Sequence, residues 1–147
     1  MSKENLINTL NSNLADIAVL YVKLHNYHWN VKGPQFFEVH KVTESYYEYF
    51  AEKYDELAER ILQLGSKPFS SMKEYLENAT IKEETGNDFS TGEVLKSVLS
   101  DFNYLVKKLR NTSDVASIEK DNTTVNMIDD IVQWLEKNIW MLNATVA

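Results

Sequence analysis

Cysteine is absent from the chain, so no disulfide can brace the fold and no thiolate can hold a metal; any metal bound here must take nitrogen and oxygen donors. Glycine is scarce, and Gly33, Gly65, Gly86 and Gly92 are too scattered to build a phosphate-cradling loop. Basic charge is also short. Against 22 acidic residues stand 15 Lys and Arg, and the net charge of -7 repels phosphate backbones and anionic membrane surfaces. No run is long or apolar enough to span a membrane, and the opening MSKENLINTLNSNLADIAVL lacks the basic patch and apolar stretch of a signal peptide. No strand-like alternation, repeat or low-complexity segment occurs. What remains is the expectation of a soluble cytoplasmic protein, its 147 residues and 44% hydrophobic content suited to a single domain over 1–147.

The apolar residues that are present recur at helical steps. Leu10, Leu14, Ile17, Tyr21 and Leu24 predict a helix from Glu4 to Asn30, with His28 on the same stripe. Gly33 and Pro34 should end it, and a second stripe, Val39, Val42, Tyr46, Phe50, Leu57, Ile61 and Leu64, runs to a stop at Gly65. Lys53 falls close to that buried stripe, where its stem would have to snorkel. Residues 66–90 are less periodic, with a short helix expected in SSMKEYLEN. Ser90 and Glu93 have capping-box spacing and open a third long helix, softly interrupted by the polar run NTSD. A last helix starts near Thr123 or Thr124 and carries Met127, Ile128, Ile131, Trp134, Leu135, Ile139 and Leu142. The expected fold is all-α: a four-helix bundle of ferritin-like topology with a long connection between the second and third helices.

All three histidines lie between His25 and His40, and carboxylates accompany them at helical spacing. His40 and Glu44 stand one turn apart, as do Asp55 and Glu59, so each pair shares a helix face. These four residues lie roughly 100° to 200° from the centre of the second helix's apolar band, among Ala51, Ala58 and Leu62, and so face away from the chain's own core. Asp55 follows Glu44 by eleven residues, which is about 16 Å along a helix but only about 20° around it. Since ligand bonds are about 2 Å long, the two pairs cannot hold one metal within one chain. A two-fold axis between them would bring Asp55 and Glu59 of one copy opposite His40 and Glu44 of another, giving two equivalent sites. The VKGP turn would fold His28 back to the same cluster. An intrachain di-iron bundle is not expected, because the residues three before His25, His28 and His40 are Val22, His25 and Phe37 rather than glutamate.

The segment HNYHWNVKGPQFF, followed by His40, Glu44, DELAERILQLGSKP and a terminal EKNIWML, resembles the Dps family of mini-ferritins across almost the whole chain. The resemblance implies that His28, His40 and Glu44 of one subunit, with Asp55 and Glu59 of its two-fold mate, are the iron ligands at which ferrous iron is oxidised. It further implies a ferroxidase that uses hydrogen peroxide, stores ferric mineral in a hollow dodecamer and protects against oxidative damage. Zinc is a competing occupant of such a site. The alternative is a DNA-compacting nucleoid protein with a secondary metal site. Family members that bind DNA commonly carry a lysine-rich tail, whereas only Lys3 precedes the first helix here and NATVA is uncharged, so DNA binding is not expected. Position 44 is Glu where many relatives have Asp. His25 matches no ligand position. Trp29 is read either as a buried packing residue or as a radical interceptor, and Asp121, Asp129 and Asp130 as a solvated helix start in preference to an acidic pore.

Overall fold

In the computed structural model, which describes residues 2–147, the chain forms α1 (Ser2–Asn30), α2 (Phe36–Gln63), a short α3 (Met72–Asn78), α4 (Thr91–Ile118) and α5 (Asn122–Val146). Two two-residue strands, β1 (Val31–Lys32) and β2 (Phe89–Ser90), pair in parallel, Val31 opposite Phe89 and Lys32 opposite Ser90. The four long helices bury the expected stripes: Leu10, Leu14, Ile17, Leu24, Phe50, Leu57, Ile61, Phe102, Leu105, Leu109, Ile128 and Leu135 are all solvent-free or nearly so. Among the described residues no helix is long and apolar enough to cross a membrane.

Short turns make α1 and α2, and α4 and α5, antiparallel neighbours. The first turn needs left-handed backbone at Gly33 (φ 118°) and Gln35 (φ 67°), which reverses the chain within five residues. The connection over 64–90 then travels the length of the bundle beside α1, and α1 supplies the polar groups that hold it. Asn11 accepts from the Phe69 amide and donates to the Lys67 carbonyl. Further along, Asp16 accepts from Thr80 and Ile81, and Asn26 donates to the carbonyls of Glu84 and Gly86. Tyr27 closes the series at Glu84 and Ser97. A loop lying on a helix would strand its backbone amides; here side chains of α1 satisfy them. The result is that α4 starts beside the end of α1, next to the turn that carries the histidines.

Helix ends follow the sequence signals closely. Ser90 and Glu93 form the expected capping box. Gly65 (φ 88°) closes α2, its amide bonding to Leu62 O and that of Ser66 to Ile61 O. The run NTSD does not interrupt α4, which continues to Ile118. Its polar groups have tertiary partners: Thr112, fully buried, accepts from Asn13 and donates to the Lys108 carbonyl, and Ser113 donates to Asp129. Lys53 lies against the stripe as expected, its ammonium over the Tyr49 ring and bonded to Glu56.

Candidate metal centre

His28 sits in the last turn of α1 and His40 in the second turn of α2, and the short connection stacks their rings 3.7 Å apart and 12° from parallel. Each imidazole is held by the other's backbone. His28 Nδ1 lies 2.6 Å from the His40 carbonyl oxygen, and His40 Nδ1 lies 2.8 Å from that of His28. A carbonyl can only accept, so each ring carries a proton on Nδ1, and it is Nε2 that offers a lone pair in the neutral imidazole. The His28 carbonyl is one of the last four of α1, which have no partner inside the helix; the His40 imidazole supplies one. Phe36 stacks on His40 at 5.1 Å, and Tyr47 meets His28 edge-on at 5.3 Å.

Glu44, one turn beyond His40 and half exposed, brings Oε1 to 3.8 Å from His28 Nε2. That is too long for a hydrogen bond and leaves the facing donors room to move. His28 itself is only 5% exposed. Partial burial raises the Tyr47 phenol above its ordinary range, and the carboxylates of Glu44 and Glu48 reinforce the shift.

The fold thus sets two of the expected residues, His40 and Glu44, each beside His28. Asp55 and Glu59 stand exposed further along the same helix, and among the described residues no three His, Asp or Glu side chains converge on one point. His25 is a packing residue, as expected: it donates to the Tyr21 carbonyl and stacks on Tyr47 at 3.7 Å. Trp29 is not buried. It is 68% exposed and touches only the edge of this aromatic group through His25, because the last turn of α1 projects it away from the core. Asp121 caps α5, accepting from the Thr124 amide and hydroxyl and pairing with Arg60 of α2. Burial opposes its ionisation, but those hydrogen bonds and the guanidinium hold it below the usual carboxylate range.

Sequence reasoning missed Thr43. It is 1% exposed, and its hydroxyl lies 3.2 Å from His28 Nδ1, 2.8 Å from the Val39 carbonyl and 3.0 Å from that of His40. The available signal was a hydroxyl on the inward side of a helix one turn after His40 and one residue before Glu44.

Comparison with known proteins agrees with this architecture. The family model described as "Ferritin-like domain" matches residues 7–147. The "DNA protection during starvation protein" of Helicobacter pylori is 46% identical over 133 residues, covering 90% of this chain and 92% of the relative. Among solved structures, antigen TpF1 from Treponema pallidum superposes with a TM-score of 0.97 at 41% identity, over 99% of this chain and 93% of that one. The DPS protein from Vibrio cholerae O1, described as a member of a broad superfamily of ferritin-like diiron-carboxylate proteins, gives 0.95 at 36% identity, over 99% and 91%. Fold, helix order and sequence likeness along nearly its whole length place the chain in the ferritin-like family, as a mini-ferritin of the Dps group.

Proposed function

We propose that the protein is a ferroxidase that binds ferrous iron where two copies meet, His28, His40 and Glu44 coming from one subunit and Asp55 and Glu59 from its two-fold partner. The observation that carries this reading is the pair of imidazoles locked by each other's carbonyl through Nδ1, with the His28 Nε2 facing the Glu44 carboxylate. Their proton arrangement is the one a metal needs before it arrives, so binding requires no tautomer change. Nitrogen and carboxylate donors suit iron in both oxidation states, and the negative oxygens favour the ferric product.

The shared geometry rests on two further features. The two carboxylate-bearing turns of α2 are about 16 Å apart and so belong to different sites. Beside them lies a groove of about 220 Å³ between α1, α2 and α3, lined by Tyr21, Val22, Tyr54 and Met72, with Val22 and Met72 more than half exposed. A second copy covering this face would bury apolar surface and bring its own Asp55 and Glu59 to the histidines.

In the reaction each of two ferrous ions gives one electron to hydrogen peroxide. The O–O bond breaks, two protons are taken up and two waters leave. Hydrolysis of the ferric ions then releases protons as oxyhydroxide is deposited inside a hollow dodecamer. Because both electrons go to one peroxide, no hydroxyl radical is released. The protection named for the Helicobacter pylori relative is here chemical: a chain of net charge -7 repels a polyphosphate and concentrates cations instead.

Anaerobic titration with ferrous iron followed by a peroxide pulse tests this. The parent should bind iron in simple proportion to subunits and oxidise it within the pulse, whereas Asp55→Ala combined with Glu59→Ala should be slowed at least a hundredfold. A double variant as fast as the parent would remove these residues from the site. Zinc added first should inhibit by occupying the same donors.

A further inference from the structure

The His28 ring is held by more than a carbonyl. Its Nδ1 proton points at the His40 carbonyl oxygen, 2.6 Å away, and also has the Thr43 hydroxyl oxygen within 3.2 Å. Carbonyls only accept, so Nδ1 must donate; the Thr43 hydroxyl therefore accepts from the ring, and its own proton goes to a carbonyl of its own helix, that of Val39 at 2.8 Å or of His40 at 3.0 Å. Stacking on His40 and the edge of Tyr47 already limit the swing of this ring about its Cβ–Cγ bond, and a second acceptor at Nδ1 narrows it further.

Packing does not ask for a hydroxyl here. Thr43 is 1% exposed on the side of α2 that also buries Val39 and Tyr46, where valine would fill the same volume. In a helix interior threonine competes with the backbone for hydrogen bonds and is no better a helix former than valine. The carbonyls of Val39 and His40 already accept helical amides, from Thr43 and Glu44, and need nothing from its side chain. His28 is the one nearby group for which the hydroxyl changes anything.

We propose that Thr43 is a positioning residue for the metal site: its buried hydroxyl shares the His28 Nδ1 proton with the His40 carbonyl and holds Nε2 aimed at the metal position beside Glu44. The inference rests on the shared-site reading above. Thr43 touches no metal and acts only through His28, so its effect is on affinity and geometry, not on electron transfer.

The test is anaerobic titration of the assembled protein with cobalt(II) alone, followed by its visible absorption, for the parent, Thr43→Val and Thr43→Ser. The valine variant should bind cobalt about tenfold more weakly, as loss of an outer partner of a ligating histidine does. Its ligand-field bands should change in shape while its thermal unfolding without metal stays close to the parent's. The serine variant, which keeps the hydroxyl, should recover most of the affinity. If the valine variant does not assemble, Thr43→Ala, which also lacks the hydroxyl, carries the same expectation. Equal cobalt affinity and spectra in the parent and the variant lacking the hydroxyl, or a serine variant as weak as that one, overturns the role of Thr43 alone. A parent that binds no cobalt overturns it together with the metal reading.

Discussion

Asp16 has no exposed surface, yet its carboxylate is fully used: it accepts from the Thr80 amide at 2.6 Å, the Thr80 hydroxyl at 2.8 Å, the Ile81 amide at 2.7 Å and the Lys108 ammonium. Such a group holds the long connection onto α1 and links both to α4. Removing it strands the buried Ile81 amide and takes one partner each from the Thr80 amide and the Lys108 ammonium, so Asp16→Ala should lower unfolding free energy by about 3 kcal/mol in denaturant titration. Asp121 gives a pH dependence of definite sign. Its carboxyl is held below its ordinary value in the fold, so the stability it contributes is present above about pH 4 and lost as pH falls through the depressed value. Asp121→Asn should accordingly lower thermal stability at neutral and alkaline pH and flatten the acid limb of the profile, the two proteins converging as the pH falls through the depressed value. Asp121 is legible in the sequence as part of a helix start, whereas Asp16 is not. An aspartate in the apolar stretch NLADIAVL reads as a blemish until the strap that needs it is in place, and Thr43 is equally mute until His28 is folded against it.

At the scale of elements, periodicity and end signals carry most of the information. The stripes of α1, α2, α4 and α5, the capping box at Ser90 and the stop at Gly65 are all readable because they are local: each depends on residues within about one or two turns. Ser90→Ala should weaken the start of α4 by about 1 kcal/mol, measured as a lowered denaturation midpoint. Where the sequence misleads, tertiary partners have overridden local preference. Asn111 to Asp114 would fray an isolated helix, but Thr112 and Ser113 are bonded to α1 and α5. The end of α4 keeps some strain. Lys120 adopts φ 58° and closes the helix with the same amide pattern as Gly65, its own amide on Ser117 O and that of Asp121 on Ala116 O. Left-handed backbone costs a side-chain-bearing residue about 1–2 kcal/mol, part of which glycine's greater unfolded freedom offsets. Lys120→Gly is therefore expected to stabilise by roughly 0.5 kcal/mol, visible as a small rise in melting temperature.

At the scale of the molecule, an unfinished site becomes a statement about assembly. If two subunits share each centre, metal binding should stabilise the assembly and not merely the subunit: adding cobalt(II) should raise the melting temperature of the parent and leave Asp55→Ala plus Glu59→Ala unmoved. Mixing that double variant with His40→Ala subunits, then reassembling, should restore one complete site in each mixed dimer and so part of the ferroxidase rate. No recovery in the mixture would argue against sharing. Much of this centre could be read beforehand, since donor type and spacing are properties of the chain: without cysteine a metal must take His, Asp and Glu, and a helix puts His40 with Glu44 and Asp55 with Glu59 on one face, too far apart to meet. The sequence by itself therefore determined the helices, the donor types open to a metal and the spacing that keeps the two carboxylate-bearing turns of α2 apart within one chain. Only the tertiary structure decided that His28 and His40 stack, which nitrogen of each keeps its proton, and that Thr43 steadies one of them. Those outcomes depend on carbonyls and hydroxyls brought together from different helices, and no period along the chain encodes a hydrogen bond between groups that only folding makes neighbours.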